Sequence, residues 1–240
     1  MLLTKFTHSC VRLEKDGAVL VIDPGTFSEV EEALAGAGTV LVTHVHADHY
    51  DADRLVAALA ASPELTVYAP RQVVEELAPR VADTDRLHAV EADGEFTAGP
   101  FTVRTYGGQH ALIHPLIPTI ENVGYVVDGA VFHPGDSFTV PQGLTVPTVL
   151  VPLHAPWSKM SEVIDFVIAT RATRVHQIHD ALLSETGFGV VEKQVSHFAG
   201  VYGTEYQHLD PRESVEIAPR MSARAPQHCP SAPPAGQPTG

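Results

Sequence analysis

Cysteine is scarce in this sequence, which contains only Cys10 and Cys229 among its 240 residues. The two lie far apart in the chain, and Cys229 falls in a proline-rich stretch, so we do not expect a disulfide framework. A free cysteine in a folded domain usually behaves as a small hydrophobic residue. Cys10 is therefore predicted to be buried.

Long apolar runs are also missing. No stretch approaches the roughly 18 apolar residues with which a helix crosses a bilayer, and no basic segment followed by an apolar one opens the chain. We therefore expect a cytoplasmic protein that does not use a membrane.

Basic residues are few, since 15 Lys and Arg stand against 29 Asp and Glu and give a formal net charge of -14. Proteins that bind nucleic acid hold its phosphates mainly through Lys and Arg. This balance disfavours a nucleic-acid partner, and we expect a small-molecule substrate instead. The sequence carries no signal for an oligomeric state.

The chain is long enough for one domain with a sizeable core, which we predict over residues 1–218. Residues 219–240 are rich in Pro, Ala, Ser and Gly and have no apolar periodicity, so they are predicted to be a disordered tail.

The apolar pattern of residues 1–218 predicts an α/β protein that begins with a strand meander. Ser28 is expected to cap a short helix that ends at Gly36. Strands are predicted over 2–7, 11–15, 18–22, 39–43, 66–68, 87–91, 95–97, 101–106, 122–127, 130–133, 148–153, 174–178, 204–209 and 214–217, and further helices over 51–61, 71–77, 159–170 and 189–198.

A dense group of potential metal ligands follows the strand predicted over 39–43. His44, His46, Asp48 and His49 fall within six residues. Imidazole nitrogens and carboxylate oxygens are ligands of zinc and similar divalent ions, and a loop leaving a strand can direct neighbouring side chains to different centres. One loop could therefore serve two metals. The alternative is a solvated, histidine-rich turn that opens the next helix, with Asp48 or Asp51 as its cap.

Three later residues are candidates for the same site. His110 follows a Gly-Gly pair that permits close backbone approach, although His114 is nearby. Asp136 stands in a Pro-Gly-Asp sequence, where the alternative is an ordinary turn aspartate. His179 ends a predicted strand and competes with His176 and His154.

The order of these motifs resembles the metallo-β-lactamase fold hydrolases. The likeness covers about residues 1–217 and includes the segment Thr7-His8-Ser9-Cys10, which is similar to the Gly-His-Ser opening of the zinc-dependent branch related to L-ascorbate-6-phosphate lactonase, with Thr7 in place of the glycine. This resemblance implies a four-layer αββα sandwich with the site at one edge. It also implies two divalent metals, zinc first and manganese or iron as alternatives, with His44, His46 and His110 on one metal, Asp48, His49 and His179 on the other, and Asp136 between them.

Two metals about 3.5–4 Å apart can share a water, lower its pKa toward neutrality and polarise a substrate oxygen. Asp48 or Asp136 would then orient the resulting hydroxide and pass a proton to the leaving group. Asp23 is expected to support a ligand imidazole, although it could be a plain turn aspartate before Pro24. His8, His114, His154, Trp157 and Lys159 are candidates for the substrate pocket, with Trp157 as an apolar wall and Lys159 as an anion contact. For each, ordinary packing or a surface position is the alternative.

The predicted function is a dinuclear metal-dependent hydrolase acting on a small ester, lactone or phosphoester. Two alternatives are a phosphodiesterase or nuclease of the same fold, which the acidic charge disfavours, and a non-catalytic module that binds a metal or a metabolite. In the redox di-iron members of the resembled family, a glutamate stands where this chain has His46. An oxygen reductase is therefore not expected.

Overall fold

The computed structural model describes residues 1–218 and confirms the α/β class. The tail predicted over 219–240, with Cys229, lies outside the described residues. No helix within residues 1–218 is long and apolar enough to cross a membrane. The strands, in chain order, are Leu2–Lys5 (β1), Val11–Lys15 (β2), Ala18–Ile22 (β3), Thr39–Leu41 (β4), Thr66–Ala69 (β5), Leu87–Ala89 (β6), Glu95–Ala98 (β7), Phe101–Gly107 (β8), Val123–Val127 (β9), Val131–His133 (β10), Thr148–Pro152 (β11), Arg174–Ile178 (β12), Glu205–Tyr206 (β13) and Ser214–Glu216 (β14).

These strands form two seven-stranded sheets with matching organisation. The first has the order β14-β1-β2-β3-β4-β5-β6 and the second β13-β12-β11-β10-β9-β8-β7. In the first sheet, pairing is antiparallel from β14 to β3 and parallel from β3 to β6. In the second, it is antiparallel from β7 to β10 and parallel from β10 to β13. Each sheet therefore joins a meander to a parallel half.

Five helices cover the outer faces of the sheets: Val30–Ala33 (α1), Ala52–Ala61 (α2), Arg71–Leu77 (α3), Met160–Thr170 (α4) and Glu185–Val201 (α5). One apolar cluster packs α1, α2 and α3 on the first sheet, where Leu55 and Leu59 meet Val40. Another packs α4 and α5 on the second sheet, where Phe166 meets Val151. The layers thus run helix, sheet, sheet, helix, as the family resemblance implied.

The central cluster fills the space between the two sheets. It joins residues of the first sheet, such as Leu13 and Leu20, to residues of the second, such as Tyr125 and Leu150. The Tyr125 hydroxyl also donates a 2.8 Å hydrogen bond to the carbonyl of Val42, which follows β4. Burial of these apolar faces, at about 25 cal/mol per Å², holds the sheets together.

The strands predicted over 2–7, 39–43 and 87–91 each end two residues earlier in the structure, and three other elements differ more. Ser28 does not cap a helix, because α1 begins after Glu29 and the Ser28 hydroxyl donates instead to the Gly25 carbonyl at 2.7 Å. Helix α5 begins well before residue 189, with Ser184 as its cap. Its start is hard to predict because the glycines in its first turns have low helix propensity. The strand predicted over 204–209 has only the two residues of β13.

Candidate metal centre

The histidine-rich loop runs from the end of β4 to the start of α2. His44 and His49 are completely buried, which excludes the solvated turn. Asp51 caps α2 by accepting the backbone N–H of Arg54 at 3.0 Å. The alternative was therefore right in making Asp51 a helix cap and wrong in making the histidines solvated.

A second loop, which follows β3, packs directly against the histidine-rich loop. The N–H of Thr26 donates to the Ala47 carbonyl at 2.8 Å, and the N–H of Asp51 donates to the Pro24 carbonyl at 3.0 Å. A Cβ atom at Gly25 would lie 1.8 Å from the carbonyl oxygen of Asp48. Only glycine fits between the two loops at this position.

The potential ligands form two adjoining groups. Within each group, the ligand atoms all lie within 4.8 Å of one another. The first group is His44, His46, His110 and Asp136, and the second is His8, Asp48, His49 and His179. Asp136 stands between them, since its Oδ1 lies 3.0 Å from Nε2 of His49 and its Oδ2 lies 3.3 Å from Nε2 of His110 and 3.1 Å from Nε2 of His179. The structure thus brings all seven predicted ligands together.

Four of these imidazoles have their Nδ1 atom held by an oxygen, which leaves Nε2 facing the centre. The Nδ1 partners are the Thr43 hydroxyl for His44 at 3.0 Å, Asp23 for His49 at 2.7 Å, the Ala111 carbonyl for His110 at 2.6 Å and the His154 carbonyl for His179 at 2.7 Å. An acceptor at Nδ1 puts the proton there and leaves the Nε2 lone pair available, as metal-binding histidines require.

Buried polar atoms without a hydrogen bond are concentrated at this centre. Within residues 1–218 they include Nε2 of His44, His49 and His110 and Oδ1 of Asp136. Such atoms cost free energy unless a ligand compensates them. Convergent imidazole nitrogens and a carboxylate oxygen fit divalent zinc, manganese or iron.

Asp23 supports the centre through hydrogen bonds to His49 and Thr43. It is completely buried, and besides His49 it accepts the N–H and the hydroxyl of Thr43, both at 2.7 Å. Asp23 therefore fixes the ring of His49 and the backbone that leads into the histidine-rich loop. This is the supporting position that the sequence suggested for it.

His8 is buried behind Asp48. Its Nδ1 accepts the N–H of Ala181 at 3.3 Å, so Nε2 carries the proton and donates to Oδ2 of Asp48 at 3.1 Å. His8, Asp23 and His179 all have a positive φ, at 67°, 52° and 56°. A left-handed backbone conformation is uncommon for residues other than glycine and is found more often at functional sites.

The loop that carries His179 is anchored by a buried ion pair. Nζ of Lys5 lies 2.8 Å from Oδ2 of Asp180 and also donates to the carbonyl of Phe6 at 3.0 Å. The side chains are 1% and 7% exposed. In addition, the N–H of His179 donates to the His8 carbonyl at 3.2 Å. Segments at opposite ends of the chain therefore position one ligand.

Burial and charge set the protonation states. Burial holds the pKa of His44 well below its usual 6.5 and also lowers the pKa of His46, so both imidazoles are neutral at pH 7. Burial alone would raise the pKa of Asp48, but the hydrogen bond from His8 and nearby histidines lower it to about 2. For Asp136, His49 and the neighbouring imidazoles outweigh burial in the same way and hold its pKa well below 3.8.

The pKa of His49 is shifted in the opposite direction from those of His44 and His46. Burial opposes its charge, but the carboxylates of Asp136 and Asp23 raise its pKa well above 6.5. A metal that takes the Nε2 atom of His49 must therefore displace a proton. Metal affinity at this centre should fall as the pH falls.

Two further residues hold Asp136. The indole Nε1 of Trp157 donates to its Oδ2 at 2.9 Å, and the side-chain oxygen of Asn122 accepts its backbone N–H at 2.9 Å. The sequence suggested Trp157 only as an apolar wall. Nothing in the sequence marked Asn122, which lies in a loop well before Asp136 in the chain.

Three predicted pocket residues do not bring their side chains to the centre. His114 is exposed, and its Nδ1 accepts the N–H of Leu116. The side chain of Lys159 is 78% exposed and lies 3.5 Å from Glu162. His154 contributes its backbone carbonyl to His179. His176, the other alternative to His179, uses its Nδ1 to donate to the Gln207 carbonyl and belongs to neither ligand group.

Cys10 is buried and not in a disulfide, as predicted. Burial raises the pKa of its thiol far above the usual range.

A cavity of about 320 Å³ opens onto both ligand groups, within the size range of small-molecule sites. Its lining includes His46, Asp48, His110, Asp136 and His179.

The family model described as the β-lactamase superfamily domain matches residues 2–179. The chain belongs to this superfamily. Its fold is the metallo-β-lactamase fold, since the structure of Igni18, a metallo hydrolase from Ignicoccus hospitalis, has a TM-score of 0.68 and 19% identity over 89% of this chain and 97% of that one.

Two further comparisons concern a related sequence and a similar fold. Protein Rv0786c of Mycobacterium tuberculosis is 36% identical over 219 residues, which cover 89% of this chain and 98% of that protein. The structure of CmlA, a diiron β-hydroxylase from Streptomyces venezuelae, has a TM-score of 0.71 at 15% identity and matches 89% of this chain and 53% of that one. The fold therefore accommodates different reactions, and the site must decide the function.

Proposed function

We propose that this protein is a dinuclear metal-dependent hydrolase, with zinc as the first candidate metal, and that its substrate is a small ester, lactone or phosphoester. The observation that carries the proposal is the set of buried Nε2 atoms of His44, His49 and His110, which converge without hydrogen-bond partners beside Asp136. A cavity large enough for a small molecule opens onto this set.

The described geometry supports one group of ligands for each metal. His44, His46 and His110 would hold the first metal, Asp48, His49 and His179 the second, and Asp136 would contact both. When bound, such a metal pair supplies Lewis acidity, which lowers the pKa of water toward neutrality and polarises the substrate oxygen.

The residues around the metals have separate tasks. The side chain of Asp48 is 23% exposed and faces the cavity, so it can accept a hydrogen bond from the attacking water and pass a proton to the leaving group. His8 donates to Asp48 and keeps it in place. With a pKa of about 2, Asp48 is ionised before the reaction and can therefore accept the hydrogen bond of the water. Trp157 and Asn122 hold Asp136 in position.

The finer assignment, to the zinc-dependent branch related to L-ascorbate-6-phosphate lactonase, is also a proposal. Its support is the Thr7-His8-Ser9-Cys10 segment, because His8 contacts the candidate ligand Asp48.

The test uses the full chain, stripped with a chelator and reloaded with zinc, against a panel of lactones, aryl esters and phosphodiesters. We expect turnover that requires the metal and that a chelator abolishes. Zinc binding without turnover of any compound would instead indicate a non-catalytic metal-binding module. Preference for phosphodiesters would indicate a phosphodiesterase.

A further inference from the structure

The cavity beside the ligand groups has an apolar wall. Phe27, Ile113, Pro156, Trp157 and Leu182 line it opposite the histidines and carboxylates. They come from loops after β3, β8, β11 and β12, so both sheets contribute. Phe27 is 45% and Leu182 51% exposed. Exposed apolar side chains grouped at a cavity mouth are typical of a site that binds an apolar ligand.

Apart from the metals proposed above, the cavity offers no cation to an anionic group of the substrate. Within residues 1–218, no Lys or Arg lines it. Lys159, the candidate anion contact, lies in an adjacent cleft beside Glu162. The carboxylates of Asp48 and Asp136 also line the cavity, and as candidate metal ligands they would offset part of the positive charge of the metals. Sites for phosphate esters usually surround the phosphate with Arg, Lys or helix N-termini.

We infer that the site takes a neutral ester or lactone whose apolar group lies against Phe27, Ile113, Trp157 and Leu182, and that phosphorylated compounds are poor substrates. The inference rests on the hydrolase function proposed above and narrows it. It limits the proposed resemblance to L-ascorbate-6-phosphate lactonase to the metal centre and does not extend it to a phosphorylated substrate. In the reaction, the acyl C–O bond breaks, the oxygen of water joins the acyl carbon, and the alcohol leaves with a proton. No other reactant is needed.

The experiment measures kcat/KM of the zinc-loaded full chain for p-nitrophenyl acetate, butyrate and hexanoate, and for p-nitrophenyl phosphate and bis(p-nitrophenyl) phosphate. Each methylene buried in the cavity contributes about 0.8 kcal/mol, so kcat/KM should rise about fourfold per methylene until the wall is covered. The phosphate compounds should be slower by about a hundredfold or more, equivalent to roughly 2.7 kcal/mol.

Two variants test the wall itself. Phe27→Ala and Leu182→Ala should each lower the hexanoate-to-acetate ratio of kcat/KM by about tenfold, as the loss of a large apolar contact implies. Leu116→Ala is the matched control, because Leu116 is 86% exposed and does not line the cavity. Its ratio should equal that of the parent protein.

Binding of the carboxylate products separates this inference from the proposed function. Affinities of acetate, butyrate, hexanoate and inorganic phosphate for the zinc-loaded protein are measured by calorimetry. If no compound is turned over but the affinity for the carboxylates rises with chain length, the hydrolase function is refuted and the apolar binding site is retained. Turnover that prefers the phosphate compounds, or a flat response to chain length in both turnover and binding, would overturn the inference.

Discussion

The indole Nε1 of Trp157 lies 2.9 Å from Oδ2 of Asp136, and both side chains are buried. Trp157→Phe removes this donor and keeps an aromatic ring against the cavity. Removing an outer partner of a metal ligand typically costs 10- to 100-fold in metal affinity or activity, roughly 1.4–2.7 kcal/mol. We expect a loss of zinc affinity in that range, measured by competition with a chromophoric chelator.

Phe138→Leu is the control for this experiment. Phe138 packs on Trp157 at a ring distance of 5.0 Å and makes no polar contact with Asp136. Its replacement should therefore leave zinc affinity close to that of the parent protein. Equal affinities in Trp157→Phe and the parent would show that the indole hydrogen bond does not support the metal site.

Metal content tests the centre directly. Plasma mass spectrometry of the zinc-resupplied protein should approach two metals per chain, since seven predicted ligands form the two groups. Fewer than about 0.5 metals per chain would contradict the assignment. Chelator treatment should also lower Tm, because free metal at about 1,000 times Kd stabilises the native state by roughly 4 kcal/mol.

Asp48→Asn tests the role of the partly exposed carboxylate. It keeps the size of the side chain but removes its charge, so kcat should fall by about a hundredfold or more. Metal content measured on the same samples separates lost chemistry from a lost metal. Cys10→Ala should retain its turnover, because the Cys10 thiol is buried and its pKa is raised. Activity in Asp48→Asn together with inactivity in Cys10→Ala would indicate a thiol nucleophile.

Lys5→Met tests the buried ion pair with Asp180. The variant leaves the Asp180 carboxylate buried without its cation, which typically costs about 3–5 kcal/mol. Lys15→Met is the matched control, since Lys15 pairs with Asp128 at 2.9 Å but is 30% exposed, and such pairs contribute about 1 kcal/mol or less. Denaturant unfolding measures both. Equal losses would show that burial does not distinguish the two pairs.

His208 provides a test of pH dependence away from the metal centre. Partial burial lowers its pKa, but hydrogen bonds with Glu192 and Asp210 raise it to a net value above 6.5. The stabilisation is therefore complete below the unfolded pKa of about 6.5 and is lost as the pH rises through the folded pKa.

The variant for this test is His208→Gln. The parent protein should exceed it in unfolding free energy at pH 5.5 by less than about 1 kcal/mol, because the side chain is 39% exposed, and the difference should shrink by pH 9. NMR titration of the His208 resonance should give a midpoint above 6.5. A midpoint below that value would contradict the assignment.

Local sequence patterns predicted much of the fold. Alternation in β8 and continuous apolar runs in β9 and β11 are visible within five to seven residues. Helix α2 is equally local, since Asp51 and the spacing of Leu55 and Leu59 define it. The stacking of the sheets is not local, and it came from the resemblance.

The candidate site also has a part that the local sequence reveals and a part that it does not. The histidine-rich loop is dense enough to be recognised from its spacing, whereas the contacts that position the candidate ligands join separate segments of the chain. His8 contacts Asp48, Asn122 contacts Asp136, and Lys5 contacts Asp180. Sequence periodicity carries no information about such pairs, because they depend on how loops of different strands meet at one edge of the sandwich.

Gly25 has a consequence for the engineering of this loop. Its backbone lies so close to Asp48 that a Cβ atom would overlap the Asp48 carbonyl. A library that varies residues 44–49 alone therefore searches only loops whose backbone follows the present path past Gly25. Grafting the histidine-rich loop from a distant relative should succeed more often when residues 23–26 are transplanted with it, as one two-loop cassette.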